Sequence, residues 1–351
     1  MKSLLAALFA LTLLGAAPAP ESVALGALMA ESPALTLEAY RLFVGAGPWA
    51  PNAGLTPYAL NTPLFSDYAE KQRWLYLPPG VTARYRPTGA LDLPVGAVLV
   101  KTFAYPADFR RPTDKVRPVE TRLLIHRRRG WVALAYVWND DQSQAVLKRA
   151  GKRLDVDFID AAGKAQHVDY KVPNQNQCKE CHSVAGRLTP IGLKARNLNG
   201  DYAYQGGAEN QLAHWTRLGL LTGAPDPATA PRTAIWTDPH EALDARAQAY
   251  LDGNCGHCHN RRGAASNTGL FLDLEETRPA VRGLGKRPVA AGRGSGGLYF
   301  DIAPGDPDGS IVVHRMASTE PGVMMPELSR SLVHQEGLDL VRAYIASLKA
   351  K

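Results

Sequence analysis

Asn254-Cys255-Gly256-His257-Cys258-His259 is the stretch that decides how this chain is read, and Cys178-Lys179-Glu180-Cys181-His182 is its earlier echo. Each reads C-x-x-C-H, the spacing at which a c-type haem is attached. Two thiols on one short turn add to the two vinyl groups of a single porphyrin. The histidine after the second thiol then falls beneath the ring, where its imidazole takes an axial position on the iron. The two matches together use all four cysteines of the 351 residues. The residues therefore point to two covalently attached haem c groups, one on Cys178 and Cys181 and one on Cys255 and Cys258, with His182 and His259 as iron ligands. Zinc could use two C-x-x-C pairs, but it does not ask for a histidine directly after each. Thioredoxin-like redox pairs belong in a βαβ context that this chain lacks, and structural disulfides would leave both histidines unexplained.

The hydrophobic content of 45% and charged content of 21% are those of an ordinary globular protein, and the length allows two or three domains. The net charge is +7, but 33 acidic residues are mixed in. The basic run His126-Arg127-Arg128-Arg129, followed by Gly130-Trp131, reads as a solvated hairpin turn. No nucleic-acid footprint is expected from so short a stripe. At the start, Met1-Lys2 precedes an apolar run from Leu4 to Leu14 that is too short to span a bilayer, and small residues follow at Gly15-Ala16-Ala17-Pro18-Ala19. This pattern predicts a secretory signal peptide over residues 1–19, with Ala24-x-Gly26 as a second cleavage point. No later stretch predicts a transmembrane segment. The expected location is periplasmic, which also suits covalent haem attachment.

Pro, Gly, Ala and Asn dominate residues 34–67, with a short helical piece near Leu37–Val44. Alternating apolar residues then predict strands over Val95–Tyr105, Thr121–His126 and Trp131–Trp138, the last two joined at Gly130. In the third of these, Val132, Leu134, Tyr136 and Trp138 share one face and Ala133, Ala135 and Val137 the other, which implies burial on both sides. Arg153–Ile159 and Gln166–Val172 read as a further hairpin across Ala162-Gly163. From Pro173 the character changes to loops and short helices, including one at Asn210–Leu221. Asp238-Pro239 offers an N-cap with proline at the first helical position, ahead of a helix over Glu241–Asp252 that runs into the second motif. A last helix over His334–Leu348 carries Leu338, Val341, Tyr344, Ile345 and Leu348 on one face.

A haem iron takes a sixth ligand or keeps an open position, and that choice sets function. For the second haem the candidate is Met325, in Met324-Met325-Pro326 ahead of the final helix, with Met324 and Met316 competing. For the first, no methionine lies between His182 and His257. His214, His240, Lys194 and Met316 remain as alternatives, as does an open iron. Residues 236–351 resemble a cytochrome c domain through Arg246–His259, Pro304-Gly305-Asp306-Pro307 and Met325-Pro326. The whole chain resembles a family of largely uncharacterised bacterial diheme c-type cytochromes. Leu64-Phe65-Ser66-Asp67-Tyr68, Asn176-Gln177 ahead of the first motif, Pro190-Ile191-Gly192 and Asn197-Leu198-Asn199 add to that resemblance. It implies periplasmic electron transfer between protein redox partners, with an associated β-helix repeat protein as one such partner.

The expected fold class is α+β multidomain. It comprises an N-terminal antiparallel β domain at 34–172, a small haem-binding segment at 173–235 and an all-α cytochrome c domain at 236–351. The expected function is electron transfer. A diheme peroxidase-like enzyme with an open first haem, and a β domain that binds a substrate or partner and is served by the haems, are the alternatives.

Overall fold

The computed structural model describes residues 22–289, 292–328 and 330–349, so the expected signal peptide lies outside the described residues. Alternating side chains in the first half build a six-stranded sheet. Its strands are β1 (Leu55–Pro57), β2 (Glu70–Tyr76), β4 (Val98–Pro106), β5 (Val116–Arg127), β6 (Gly130–Trp138) and β7 (Ala145–Leu147), adjacent in that order and antiparallel throughout. The short strand β3 (Ala83–Arg84) lies outside it and pairs in parallel with Leu221–Thr222. A separate hairpin joins β8 (Lys152–Ile159) to β9 (Ala165–Val172). The expected strands are all present within a few residues. β2 is the one that alternation did not announce, because its first half, Glu70-Lys71-Gln72-Arg73, is charged or polar at every position.

Both faces of the sheet are covered. In β6, Leu134, Tyr136 and Trp138 are buried on one side and Ala135 and Val137 on the other. The first side packs on Leu28 of helix α1 (Leu25–Met29) and on Leu37 and Tyr40 of a 3-10 turn. The second side is banded. A row of Leu75, Leu99 and Leu124, opposite one another on β2, β4 and β5, joins a core with Leu198, Leu212 and Trp215. At the other end Phe103 and Tyr105 meet Val156, Phe158 and Tyr170 of the β8–β9 hairpin. Between the two apolar bands lies a row of cations, Arg73, Lys101 and Arg122.

The later helices are α2 (Gln175–His182), α3 (Ala195–Leu198), α4 (Gln211–Arg217), α5 (Leu243–Leu251), α6 (Ile311–Ala317) and α7 (Gln335–Ser347). All are short, and none among the described residues is long and apolar enough to cross a membrane. The expected fold class is corrected here. The protein is β-rich, with 27% strand and 21% helix, and residues 236–351 do not form an all-α cytochrome c domain. That part holds helices of 9, 7 and 13 residues, and the rest is turns, 3-10 segments and isolated bridges such as Leu284 to Ile302. The cause is compositional: glycines and prolines recur from Gly263 to Pro307, and neither sustains a helix interior.

Helix ends differ too. α5 starts at Leu243 without a side-chain cap, and Asp238 instead accepts the N–H of His240 at 2.9 Å. After Leu251 the coil widens to a π-helical turn over Asp252–Gly256. α5 and α7 nevertheless meet, at Gly337. A Cβ on Gly337 would overlap the phenol of Tyr250, whose hydroxyl pairs with His334 Nδ1 at 2.8 Å. Gly337→Ala is therefore expected to cost about 1–3 kcal/mol through overpacking, seen as a lower denaturation midpoint. An unchanged midpoint would mean that the two helices do not approach at this residue.

Candidate functional site

The first motif stands on α2, which starts where Asn174 accepts the N–H groups of Asn176 and Gln177 while Gln177 Oε1 accepts that of Asn174. This reciprocal cap fixes the helix start four residues before Cys178, so Cys178, Cys181 and His182 follow on less than two turns. His182 Nδ1 lies 3.0 Å from the carbonyl of Thr189. That contact places the ring proton on Nδ1 and leaves Nε2 with its lone pair. Burial, aided by the nearby charge of Lys101, pushes the imidazole down to about 4, so it is neutral at ordinary pH.

The second motif is reached through the π turn. Gly256 is needed in it, because a Cβ there would meet the Asp273 backbone at 3.0 Å. His259 repeats the arrangement of His182. Its Nδ1 lies 3.3 Å from the carbonyl of Leu270, and burial pushes it down to about 4 as well.

Each motif borders a cavity. Cys255, Cys258 and His259 line one of about 550 Å³, together with Met316, Met325 and Arg315. Cys178, Cys181 and His182 line one of about 190 Å³, floored by Arg73, Lys101 and Arg122 of the sheet. The larger is within the usual range for a cofactor site, about 300–1,000 Å³, and the smaller is below it. At the first motif it is the donor set, two thiols and a neutral imidazole, that fits a haem rather than the volume. The two cavities share a wall made of Leu64, Cys181, His257, Glu327, Leu328 and Arg330. Beside that wall, Cys181, His257 and Cys258 bring their ligand atoms within 4.8 Å of one another. A hydrogen bond between the two thiols raises Cys181 and lowers Cys258, while burial pushes Cys255 up to about 12. His257 Nδ1 is buried with no hydrogen-bond partner among the described residues.

The candidates for distal positions separate clearly. Met325 and Met316 line the larger cavity, whereas Met324 is a buried core residue that does not. His214 lies away from both cavities. It is stacked on Tyr204 at 3.4 Å, and its Nδ1 pairs with Glu209 at 2.6 Å. His240 is exposed. Lys194 borders the smaller cavity but is committed to Asp252 at 3.0 Å. Sequence reading missed Lys101 and His257 altogether. Lys101 sits inside a strand, and His257 occupies a variable position of the motif.

Asp252, the residue that opens the π turn, holds the first segment against the second motif. It accepts from Lys194 at 3.0 Å and from Arg196 at 2.9 Å, and all three side chains are largely buried. Burial alone would push its carboxyl up, but the two cations outweigh it and hold it below the usual carboxylate range. A depressed folded-state value means stabilisation that is complete above the unfolded value, about 3.9, and lost as pH falls through the folded one. Asp252→Asn is expected to cost about 3–5 kcal/mol near neutral pH by leaving Lys194 without its counter-ion, while Arg196 keeps Glu275. The variant should also lack the wild type's further loss in acid. Denaturation midpoints measured from neutral pH downward check both, and parallel pH curves for the two proteins would contradict this role.

Comparison with protein-family models, with curated proteins and with solved structures found no match for this chain.

Proposed function

We propose that this protein is a diheme c-type cytochrome that passes electrons between protein redox partners in the periplasm. The observation that carries the reading is the paired geometry of His182 and His259. Each follows a C-x-x-C pair, is half-buried and neutral, has Nδ1 tied to a backbone carbonyl and lines the same cavity as its two cysteines. A protein that only packed these histidines would have no need to present both beside paired thiols at a cavity.

When bound, haem supplies a one-electron couple at its iron. The chain's own residues do the remainder. The thiols of Cys178, Cys181, Cys255 and Cys258 tether the groups, and the carbonyls of Thr189 and Leu270 orient the two imidazoles. Met325 offers a thioether to the larger cavity, where it would complete the ligand set of a bound group and so favour transfer over catalysis. The shared wall keeps the two sites adjacent, the arrangement wanted for passing an electron from one to the other.

Two other readings each have an observation behind them. The convergence of Cys181, His257 and Cys258 would suit a zinc ion, but that leaves Cys178, His182, Cys255 and His259 without a role. The absence of a methionine from the smaller cavity's lining would suit an open first haem and a peroxidase-like enzyme.

Intact mass of protein matured in a host that attaches c-type haem is expected to exceed the polypeptide mass by two haem increments. An unmodified mass carrying zinc would contradict the proposal. Carbon monoxide added to the reduced protein separates carrier from enzyme: no binding is expected of a carrier, and rapid binding at one haem would favour the peroxidase-like reading. Met325→His should remove the sulfur-to-iron band of the ferric spectrum and lower one potential by about 0.1 V or more. Survival of that band in the variant, with its loss in Met316→His, would move the ligand to Met316.

A further inference from the structure

The middle band of the sheet's cavity face runs against the ordinary rules of strand pairing. Arg73 on β2 is directly opposite Lys101 on β4, and Lys101 is directly opposite Arg122 on β5. Like charges placed opposite one another destabilise a sheet, and a buried charge without a counter-ion costs more still. These three are nonetheless enclosed and line the cavity that holds Cys178, Cys181 and His182.

Compensation within the chain is incomplete. Arg122 is neutralised by Glu120 through two bonds of 2.7 and 2.8 Å, and Glu120 also accepts from the Tyr170 hydroxyl. Arg73 is 8% exposed and gives one N–H to the backbone carbonyl of Lys71, with no ion pair among the described residues. Lys101 Nζ makes no hydrogen bond or ion pair among the described residues and rests on the Phe103 ring at 4.6 Å. The neighbouring carboxylates are committed elsewhere. Asp252 is held by Lys194 and Arg196, and Asp67 by the N–H groups of Ser331 and Leu332. Lys171 and Arg330 also line the cavity, and its further carboxylate, Glu327, lies 3.5 Å from Arg315, so positive charge exceeds negative there.

We propose that Arg73, Lys101 and Arg122 form a carboxylate-binding row that receives the two propionates of the group attached at Cys178 and Cys181, an assignment that rests on the haem reading above. A haem brings two carboxylates, which would offset that excess where Arg73 and Lys101 lack a carboxylate partner. Arg73 offers its remaining guanidinium donors in a planar fork suited to carboxylate. Burial and the neighbouring cations hold the Lys101 amino group well below the usual lysine range, so an anion seated beside it would favour its charged form. The row thereby turns from a liability of the sheet into a fixed seat for the polar edge of the prosthetic group. A free dicarboxylate or inorganic phosphate would be recognised by the same chemistry, so the test includes both.

The experiment uses the haem-loaded protein and compares wild type with Arg73→Gln, Lys101→Gln, Lys101→Arg and, as a control on the exposed turn of the β8–β9 hairpin, Lys164→Gln. Intact mass first reports whether two haems are present, which judges the haem reading independently. Melting temperature then judges the row. If propionates fill it, Arg73→Gln and Lys101→Gln lower the melting temperature, Lys101→Arg restores most of the loss and Lys164→Gln changes nothing. A rise, or no change, in both glutamine variants with two haems still attached would overturn the proposal, because removing crowded, unpaired cations relieves repulsion. Succinate and phosphate are then added to wild type at constant ionic strength, a measurement that does not depend on any variant folding. No stabilisation is expected from a row already filled. Stabilisation that disappears in Lys101→Gln would assign the row to a free anion and overturn the propionate assignment.

Discussion

The structure depends on the loop between β1 and β2, whose polar groups tie every later segment to the sheet. Ala59 exchanges two hydrogen bonds with the Gln211 side chain, and the Asn61 side chain donates to the carbonyls of Asn199 and Thr233. Thr62 pairs with Asn197 and with the carbonyl of Ala234. The Phe65 N–H reaches Asn254 Oδ1 at the entrance to the second motif, and the Phe65 ring stacks on His334 at 4.0 Å. Asp67 collects the N–H groups of Ser331 and Leu332 just before α7. Buried polar groups of this kind contribute modestly when paired and cost about 1–3 kcal/mol each when left unpaired. A loop carrying so many of them therefore sets one arrangement of the segments around it and penalises the alternatives.

The placement of both motifs follows from that loop. The first segment is brought over the cavity face of the sheet, and the second is brought against the first, with Asp252, Lys194 and Arg196 closing the junction. The result is a pair of cavities with a common wall. Charge is arranged in the same economical way. The sheet's outer bands are apolar and carry the folding energy, while its central row keeps cations where an incoming anionic group would meet them. Residues that break a local rule of stability at a cavity are where function is most often found.

What could be read from sequence was what is local. C-x-x-C-H is a spacing within one turn, and strands β4, β5, β6, β8 and β9 announce themselves by alternation. β2 did not, because two side chains on its cavity-side face, Lys71 and Arg73, are charged and read as a solvated stretch. The cation row was invisible for a related reason: its members are far apart in the chain and meet only through strand register. The all-α expectation for residues 236–351 failed because apolar stripes at Leu243–Leu251 and Leu338–Leu348 are local evidence for two helices and say nothing about the glycine- and proline-rich chain between them. His214 had the helix expected of a ligand, but its partner turned out to be Glu209 on the preceding strand. Asn61, Asn197, Asn199 and Asp67 fall in or beside stretches that carried the family resemblance or led into it, and their part in holding the segments together emerges only from their bonds.

Two haems held at the adjoining cavities would each sense the other's oxidation state across the shared wall. Electron paramagnetic resonance of the oxidised protein, quantified per chain and repeated after partial reduction, tests it most directly. The account expects signals from two ferric haems, with the spectrum of one changing as the other is reduced, because the sites share the wall at Cys181 and His257. A chain without ferric haem signals, or two haem signals wholly indifferent to each other's oxidation state, would contradict it.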